Sequence, residues 1–257
     1  MSQRHSGNRA RLEAIMVGRL TVTTLDEPSH VYAMHGGEKV AQWKCLVRRN
    51  NLFGAWEAVE WSWLPPGGAS GEHLHNRTEQ IDYIVSGSGV MTIDGRDHPV
   101  GPGDVILTGL GTSHGLRNVG DSELIWLVSE VAGPVARGVP ADDAAAAGDG
   151  SNAAVLDLRA IGAIDAQVLL RGPLQGARLV RLQASQTETL VSGTQEHVLF
   201  TLDGDGQAVT NSAAFPLRHG VAVGVPLGGS VTLEAGVTGL ECYVVMVAVD
   251  ANSRGAL

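Results

Sequence analysis

His73 and His75 stand one residue apart in Gly71-Glu72-His73-Leu74-His75-Asn76-Arg77-Thr78-Glu79-Gln80. Side chains alternate along a β-strand, so the two imidazoles leave one face together and can close on a single metal ion. Glu79 and Gln80 follow four and five residues after His75, each with an oxygen to offer. A third histidine comes after two Gly-punctuated strands, in His114-Gly115-Leu116-Arg117-Asn118. Imidazole suits Zn, Cu, Fe and Ni, and an amide or carboxylate oxygen extends the choice to Mn. The pattern predicts one mononuclear metal site inside a small β-barrel.

The elements that must carry these residues read as strands. Apolar, β-branched and aromatic runs of strand length occupy 40–47, 56–64, 81–85, 90–93, 105–108 and 123–131, with Gly, Pro, Asp and Asn between them. That punctuation predicts an all-β sandwich or barrel. Gly87-Ser88-Gly89 and Asp94-Gly95 predict tight hairpin turns. Helical periodicity is weak and confined to 10–19 and 157–161. Between Gly133 and Asn152 the pattern dissolves into prolines, an Asp pair, an alanine run and Gly-Asp-Gly-Ser-Asn, a linker composition in which 142–147 could form one helical turn.

Beyond the linker the chain repeats itself. The stretch 196–206 echoes 79–89, and an offset of 117 carries Gly87, Gly89, Gly103 and Gly111 onto Gly204, Gly206, Gly220 and Gly228. The matching strand pattern makes this an internal duplication. The same offset maps His73 to Leu190, His75 to Ser192, Gln80 to His197 and His114 to Val231. One of four positions keeps a ligand type, so the second barrel is expected to be metal-free. Its expected role is structural: pairing strands with the first barrel and covering its outer face.

Composition narrows the function. A formal charge of −9, with two lysines (Lys39 and Lys44) and no arginine run, argues against nucleic acid and gives no reason to expect an anionic membrane surface. Cys45 and Cys242 lie far apart and are expected to be free thiols. Residues 1–11 are polar and basic, without the apolar segment of a signal peptide, and no run approaches a membrane span; a cytoplasmic location is the expectation.

The chain resembles the cupin superfamily, and its two-barrel members in particular. His73-x-His75, four residues, Gln80, six residues and Gly87 follow the first family motif; Gly103, Gly111, His114 and Asn118 follow the second. Gly109-Leu110-Gly111 stands where the second motif usually has Pro-x-Gly. The resemblance implies two jelly-roll barrels. The expected organisation is an N-terminal extension (1–35), a metal-binding barrel (36–133), a linker (134–152) and a degenerate barrel (153–257). It also implies one divalent metal ion per chain (Fe, Zn, Mn or Ni) on His73, His75, His114 and an oxygen donor. Spacing to Gly87 puts Gln80 at the family's carboxylate position, and strand register turns the neighbouring Glu79 to the opposite face, though a bulge could exchange them. A neutral amide would leave the ion its full charge, favouring an anionic substrate.

The remaining candidates follow from parity. Asp82 shares the inward parity of Gln80 and is a candidate acid/base group, with Glu79 as the alternative; Tyr83 shares the parity of Glu79 and should face outward or into an inter-barrel seam. Trp61 and Trp63 are expected in a core or interface, Arg117 in a surface ion pair, His98 at an exposed turn and His197 in a structural role; His5, His30, His35 and His219 carry no spacing signal. The resemblance implies a metal-dependent enzyme on a small metabolite of specialised metabolism, a dioxygenase first. A redox-neutral cyclase or isomerase is the alternative, and a non-catalytic binding protein the third reading. A small-molecule substrate is the expected partner, and a homodimer is compatible with the sequence.

Overall fold

The computed structural model describes residues 20–133 and 152–249. The weak helical periodicity of 10–19, the helical turn of 142–147 and nearly all of the linker therefore lie outside the described residues, as does His5. Within them the chain is built almost entirely of strands. A seven-stranded sheet takes β2 (Ser29–Tyr32), β3 (Val40–Arg48), β4 (Trp56–Leu64), β6 (Thr78–Ser86), β9 (Asp104–Thr108), β11 (Leu124–Ala132) and β12 (Ala153–Asp157) in the order β12-β9-β6-β11-β4-β3-β2. A four-stranded sheet of β5 (Ala69–Leu74), β7 (Gly89–Ile93), β8 (Arg96–Val100) and β10 (Ser113–Asn118), ordered β5-β10-β7-β8, closes the first barrel. All the pairings are antiparallel, as a jelly roll requires.

The second barrel is one continuous eight-stranded sheet. It contains β1 (Thr21–Thr23), β13 (Ala163–Asp165), β14 (Leu174–Leu182), β15 (Thr187–Val191), β16 (Gln195–Val209), β17 (Ala214–Arg218), β18 (Ala222–Val225) and β19 (Ser230–Ala248). β16 and β19 are long enough to turn the corner between the barrel's two faces, and their pairing breaks register around Thr201/Asp203 and Gly204/Gly206. A bulge at a corner bends a strand without ending it. The duplication is visible in the backbone: Gly87 and Gly204, Gly103 and Gly220, and Gly111 and Gly228 all adopt positive φ, pair by pair. The Asp94-Gly95 turn has positive φ at both residues (47° and 74°), the conformation of a two-residue hairpin.

Strands cross between the barrels. β1, which precedes the first barrel in sequence, pairs with β18 of the second sheet; β12, which follows the linker, pairs with β9 of the first. Each edge is thus covered by a strand from the other side of the chain. A short α-helix, Leu158–Ile161, follows β12, with the Asp157 side chain accepting from Ala160 N at its start.

Three apolar clusters result. One fills the first barrel around Ile84, Met91, Ile106, Leu116 and Trp126. A second fills the other barrel. The largest lies in the seam and joins Trp61, Ile81, Tyr83, Leu127 and Val131 to Leu174, Ala177, Phe200, Tyr243 and Val245. Tyr83 stacks on Tyr243 across it, ring centroids 4.7 Å apart, and Trp63 packs against the same cluster. All three tryptophans of β4, Trp56 included, therefore belong to the interface. Arg117 stands 3.9 Å from Asp97 on the surface. His98 departs from expectation: it sits within β8, paired with Met91, and is half-buried, because the chain turns at Asp94-Gly95 and re-enters the sheet before reaching it. Cys45 and Cys242 are free thiols. No helix among the described residues is long and apolar enough to cross a membrane.

Candidate metal centre

β5 and β10 bring the three histidines together. His114 pairs directly with His73 across the two strands, and His75 follows β5, its N–H donating to Thr112 O at 2.9 Å. The donor nitrogens of His73, His75 and His114 all lie within 4.8 Å of one another. The Nδ1 of His73 is 3.0 Å from Gly71 O, and that of His75 is 3.2 Å from Thr78 O. A carbonyl only accepts, so both rings carry their proton on Nδ1 and present a bare Nε2. His114 Nδ1 is held 3.1 Å from Thr108 Oγ1, and its Nε2 lies 3.0 Å from that of His75. An ion about 2.1 Å from each nitrogen can span that separation.

Charge state fits the same use. Burial first, then the neighbouring His73, lowers His75 to about 4 against the pull of the Thr78 carbonyl; burial and the charges of His75 and His73 hold His114 well below the ordinary range. Neutral imidazoles are what a cation needs. Anchored Nδ1 atoms on all three rings, and the neutral rings of His75 and His114, together fit a divalent cation.

Alternation along β6 sorts the carboxylates. Thr78, Gln80 and Asp82 line the barrel interior. Gln80 Nε2 donates to Asp82 Oδ1 at 2.7 Å, which spends the amide nitrogen and leaves its oxygen as the atom available to an ion. Asp82 Oδ2 is buried without a hydrogen-bond partner among the described residues and stands 3.8 Å from His114 Nδ1. Burial raises Asp82 to about 7, opposed by the Gln80 hydrogen bond and reinforced by Glu130 and Glu60.

Glu79 does not join them. The expectation that it could act in the site, as proton carrier or ligand, is corrected by its side chain, which leaves the opposite face of β6 and accepts from the backbone N–H groups of Arg171 and Gly172. Its counterpart at the 117 offset, Glu196, does the converse. It accepts from Phe53 N (2.8 Å), Gly54 N (2.7 Å), Trp56 Nε1 (3.0 Å) and Leu227 N (2.9 Å). Each barrel thus holds a loop of the other by a buried carboxylate.

A cavity of about 450 Å³ opens in front of the histidines, large enough for a small metabolite. Three residues that sequence reasoning missed line it. Glu60 and Glu130 come from β4 and β11, and burial raises both; Trp43 counters this at Glu60 and Thr78 at Glu130. Their signal was available, since each carries a charge within a mostly apolar strand at the parity opposite to the neighbouring seam residues Val59, Trp61, Leu127 and Val131. His35 comes from a 3₁₀ turn, Met34–Gly36, folded over the cavity. Its ring lies 3.9 Å from that of His73 and its Nδ1 is 3.0 Å from Ser70 Oγ. No spacing rule reaches it from the motif.

The second barrel closes the corresponding space. Leu190 and Val231, at the positions of His73 and His114, are buried in its apolar cluster. Ser192 Oγ donates to Val225 O (2.9 Å) and lies 3.0 Å from His197 Nδ1, which gives His197 the structural role expected of it.

A double β-barrel with a three-histidine cavity in one barrel is the class these features define. The Cupin domain family matches residues 61–130, and 100 residues are 32% identical to the oxalate-binding protein of Thermotoga maritima, covering 39% of this chain and 83% of that protein. The chain belongs to the cupin superfamily. Its two-barrel fold is similar to that of protein Ylba from E. coli (TM-score 0.70, 16% identity, 91% of this chain and 93% of that one). It is also similar to that of Bacillus subtilis oxalate decarboxylase (TM-score 0.62, 16% identity, 91% and 78%).

Proposed function

We propose that the first barrel is a metal-dependent enzyme site that moves a proton on a small organic molecule bound in its cavity. His73, His75 and His114, with the amide oxygen of Gln80, would hold one divalent ion of Fe, Zn, Mn or Ni. When bound, such an ion supplies Lewis acidity to a substrate oxygen. The observation carrying the reading is the unpartnered Oδ2 of Asp82, buried in the same cavity as the three Nε2 atoms. Asp82 would take or return a proton at a substrate carbon or oxygen, oriented by the Gln80 amide on its other oxygen. Glu60 and Glu130 would hold the far end of the substrate, and Met34 and His35 would limit entry of water.

The buried, unpartnered Oδ2 of Asp82 beside the histidines favours redox-neutral proton transfer over the oxygenase expectation, which the same ligands would serve with iron. A second reading, binding without turnover, draws on the 32% identity to a protein named for binding oxalate. The test is elemental analysis of wild type, His114→Ala and Asp82→Asn, followed by turnover screens with small hydroxy and keto acids. The expected pattern is stoichiometric metal in wild type and Asp82→Asn, none in His114→Ala, and turnover in wild type alone. Full turnover by Asp82→Asn would remove the proton role, and ligand binding without turnover in wild type would favour the second reading.

A further inference from the structure

Three carboxyls line the cavity together with the histidines. Glu60 on β4 and Asp82 on β6 are the two cross-strand partners of Val128 on β11, and Glu130 projects from the same face of β11 two residues on. Among the described residues, no lysine or arginine lines the cavity with them; Arg77 acts on Glu130 from outside it. The buried Oδ2 of Asp82 finds no hydrogen-bond donor among the described residues. Acidic groups withdrawn from water this way are costly unless a cation or a set of donors meets them. Trp43 and Trp126 line the same cavity, and the Trp43 side chain hydrogen-bonds Glu60.

One divalent ion at the histidines offsets part of this charge; Trp43, Gln80 and Thr78 each give one of the three carboxyls a hydrogen bond, and none of them brings a positive charge. Resting on the metal-centre reading above, we propose that the cavity selects a small substrate with a cationic nitrogen. Its ammonium or amidinium end meets Glu60 and Glu130, its oxygen-bearing end faces His73, His75 and His114, and Asp82 stands between the two. The substrate class is then an amino-substituted hydroxy or keto acid rather than a dicarboxylic acid. A dicarboxylate would press its second carboxylate against a wall of acceptors, and like charges at contact distance discriminate strongly against the wrong ligand.

The test uses a matched pair. Isoserine and malate share a 2-hydroxycarboxylate head and differ only in the tail, an aminomethyl group in one and a carboxymethyl group in the other. Binding of each to the full chain, metal-loaded and metal-free, is measured by calorimetry, with oxalate as a third probe. Isoserine is expected to bind at least about tenfold more tightly than malate or oxalate in both forms, the worth of one charge-assisted hydrogen bond. Glu60→Gln and Glu130→Gln, singly and together, should bring the ratio towards one. Equal or tighter binding of malate or oxalate by wild type overturns the proposal, as does a preference that survives both substitutions. Protein that takes up no metal yet prefers isoserine would sink the metal-centre reading and leave this one standing. Stoichiometric metal with no preference would do the reverse.

Discussion

Replacing Glu79 by alanine separates the two roles that sequence alone offered it. The carboxylate is 1% exposed and accepts from at least two backbone N–H groups, those of Arg171 and Gly172. Removing it strands both donors in a dry seam. Each such loss costs about 1–3 kcal/mol, so Glu79→Ala should destabilise the chain by roughly 2–5 kcal/mol. At about 2–4 °C per kcal/mol for a chain of this size, the melting temperature should fall on the order of 10 °C. Glu196→Ala strands four donors and should cost more. Thermal unfolding by circular dichroism reads the stability, and elemental analysis of the same samples reads the metal. Gln80→Ala should show the opposite profile: weakened metal binding with a far smaller change in melting temperature. A Glu79→Ala protein that melts like wild type but binds no metal would refute the assignment of β6 faces on which the site is built.

Three further outcomes follow from the packing. Leu190→His and Val231→His together should leave metal content at one ion per chain and lower stability, since they put two imidazoles into an apolar core; a second stoichiometric ion would show that the space can reopen. His197, lowered to about 4 by burial and then by Arg178, stays neutral in the fold while the unfolded chain takes a proton near the ordinary 6.5. Its contribution is therefore complete above about pH 6.5 and lost as pH falls towards 4, on the order of 2 kcal/mol, and urea titrations across that window should show a shallower decline for His197→Gln. His35→Ala should keep the metal but weaken its hold about tenfold in competition with a chelator, because the ring packed on His73 helps fix that ligand's orientation. Unchanged affinity would make His35 a cover over the cavity and nothing more.

What could be read from the sequence was what period-two alternation controls. It put Asp82 beside Gln80, kept Tyr83 out of the site and gave Trp61 and Trp63 to a core or interface, which proves to be the seam. The same rule turns Glu79 away from the site; the possibility of a bulge kept it a candidate, and β6 pairs without one at 79–83. Glu60 and Glu130 lie outside the motif, and only the order of the strands, with β11 between β4 and β6, brings them to the cavity. His35 was out of reach for a different reason. Its position depends on left-handed backbone at Ala33, His35 and Lys39, and on glycines that let the turn press against β5: a Cβ at Gly37 would strike Ala69 O, and one at Gly71 would strike His35 O. Tertiary contact of that kind leaves no periodic trace.

The duplicated barrel shows which property of the strand was separable. On β6 one parity serves the site through Gln80 and Asp82, and the other serves the seam through Glu79, Ile81 and Tyr83. On β16, at the same offset, the seam parity still reads Glu196, Val198 and Phe200 and still reaches across to the first barrel. The site parity reads His197, Leu199 and Thr201, and at least Leu199 is now ordinary core. The two faces of one strand answer to different constraints. Losing a ligand frees a cavity to fill with leucine and valine, which adds stability, whereas losing a seam carboxylate leaves buried N–H groups with no acceptor. Metal chemistry could therefore lapse in the second barrel without loosening its grip on the first, and the surviving symmetry of Glu79 and Glu196 is the form that grip takes.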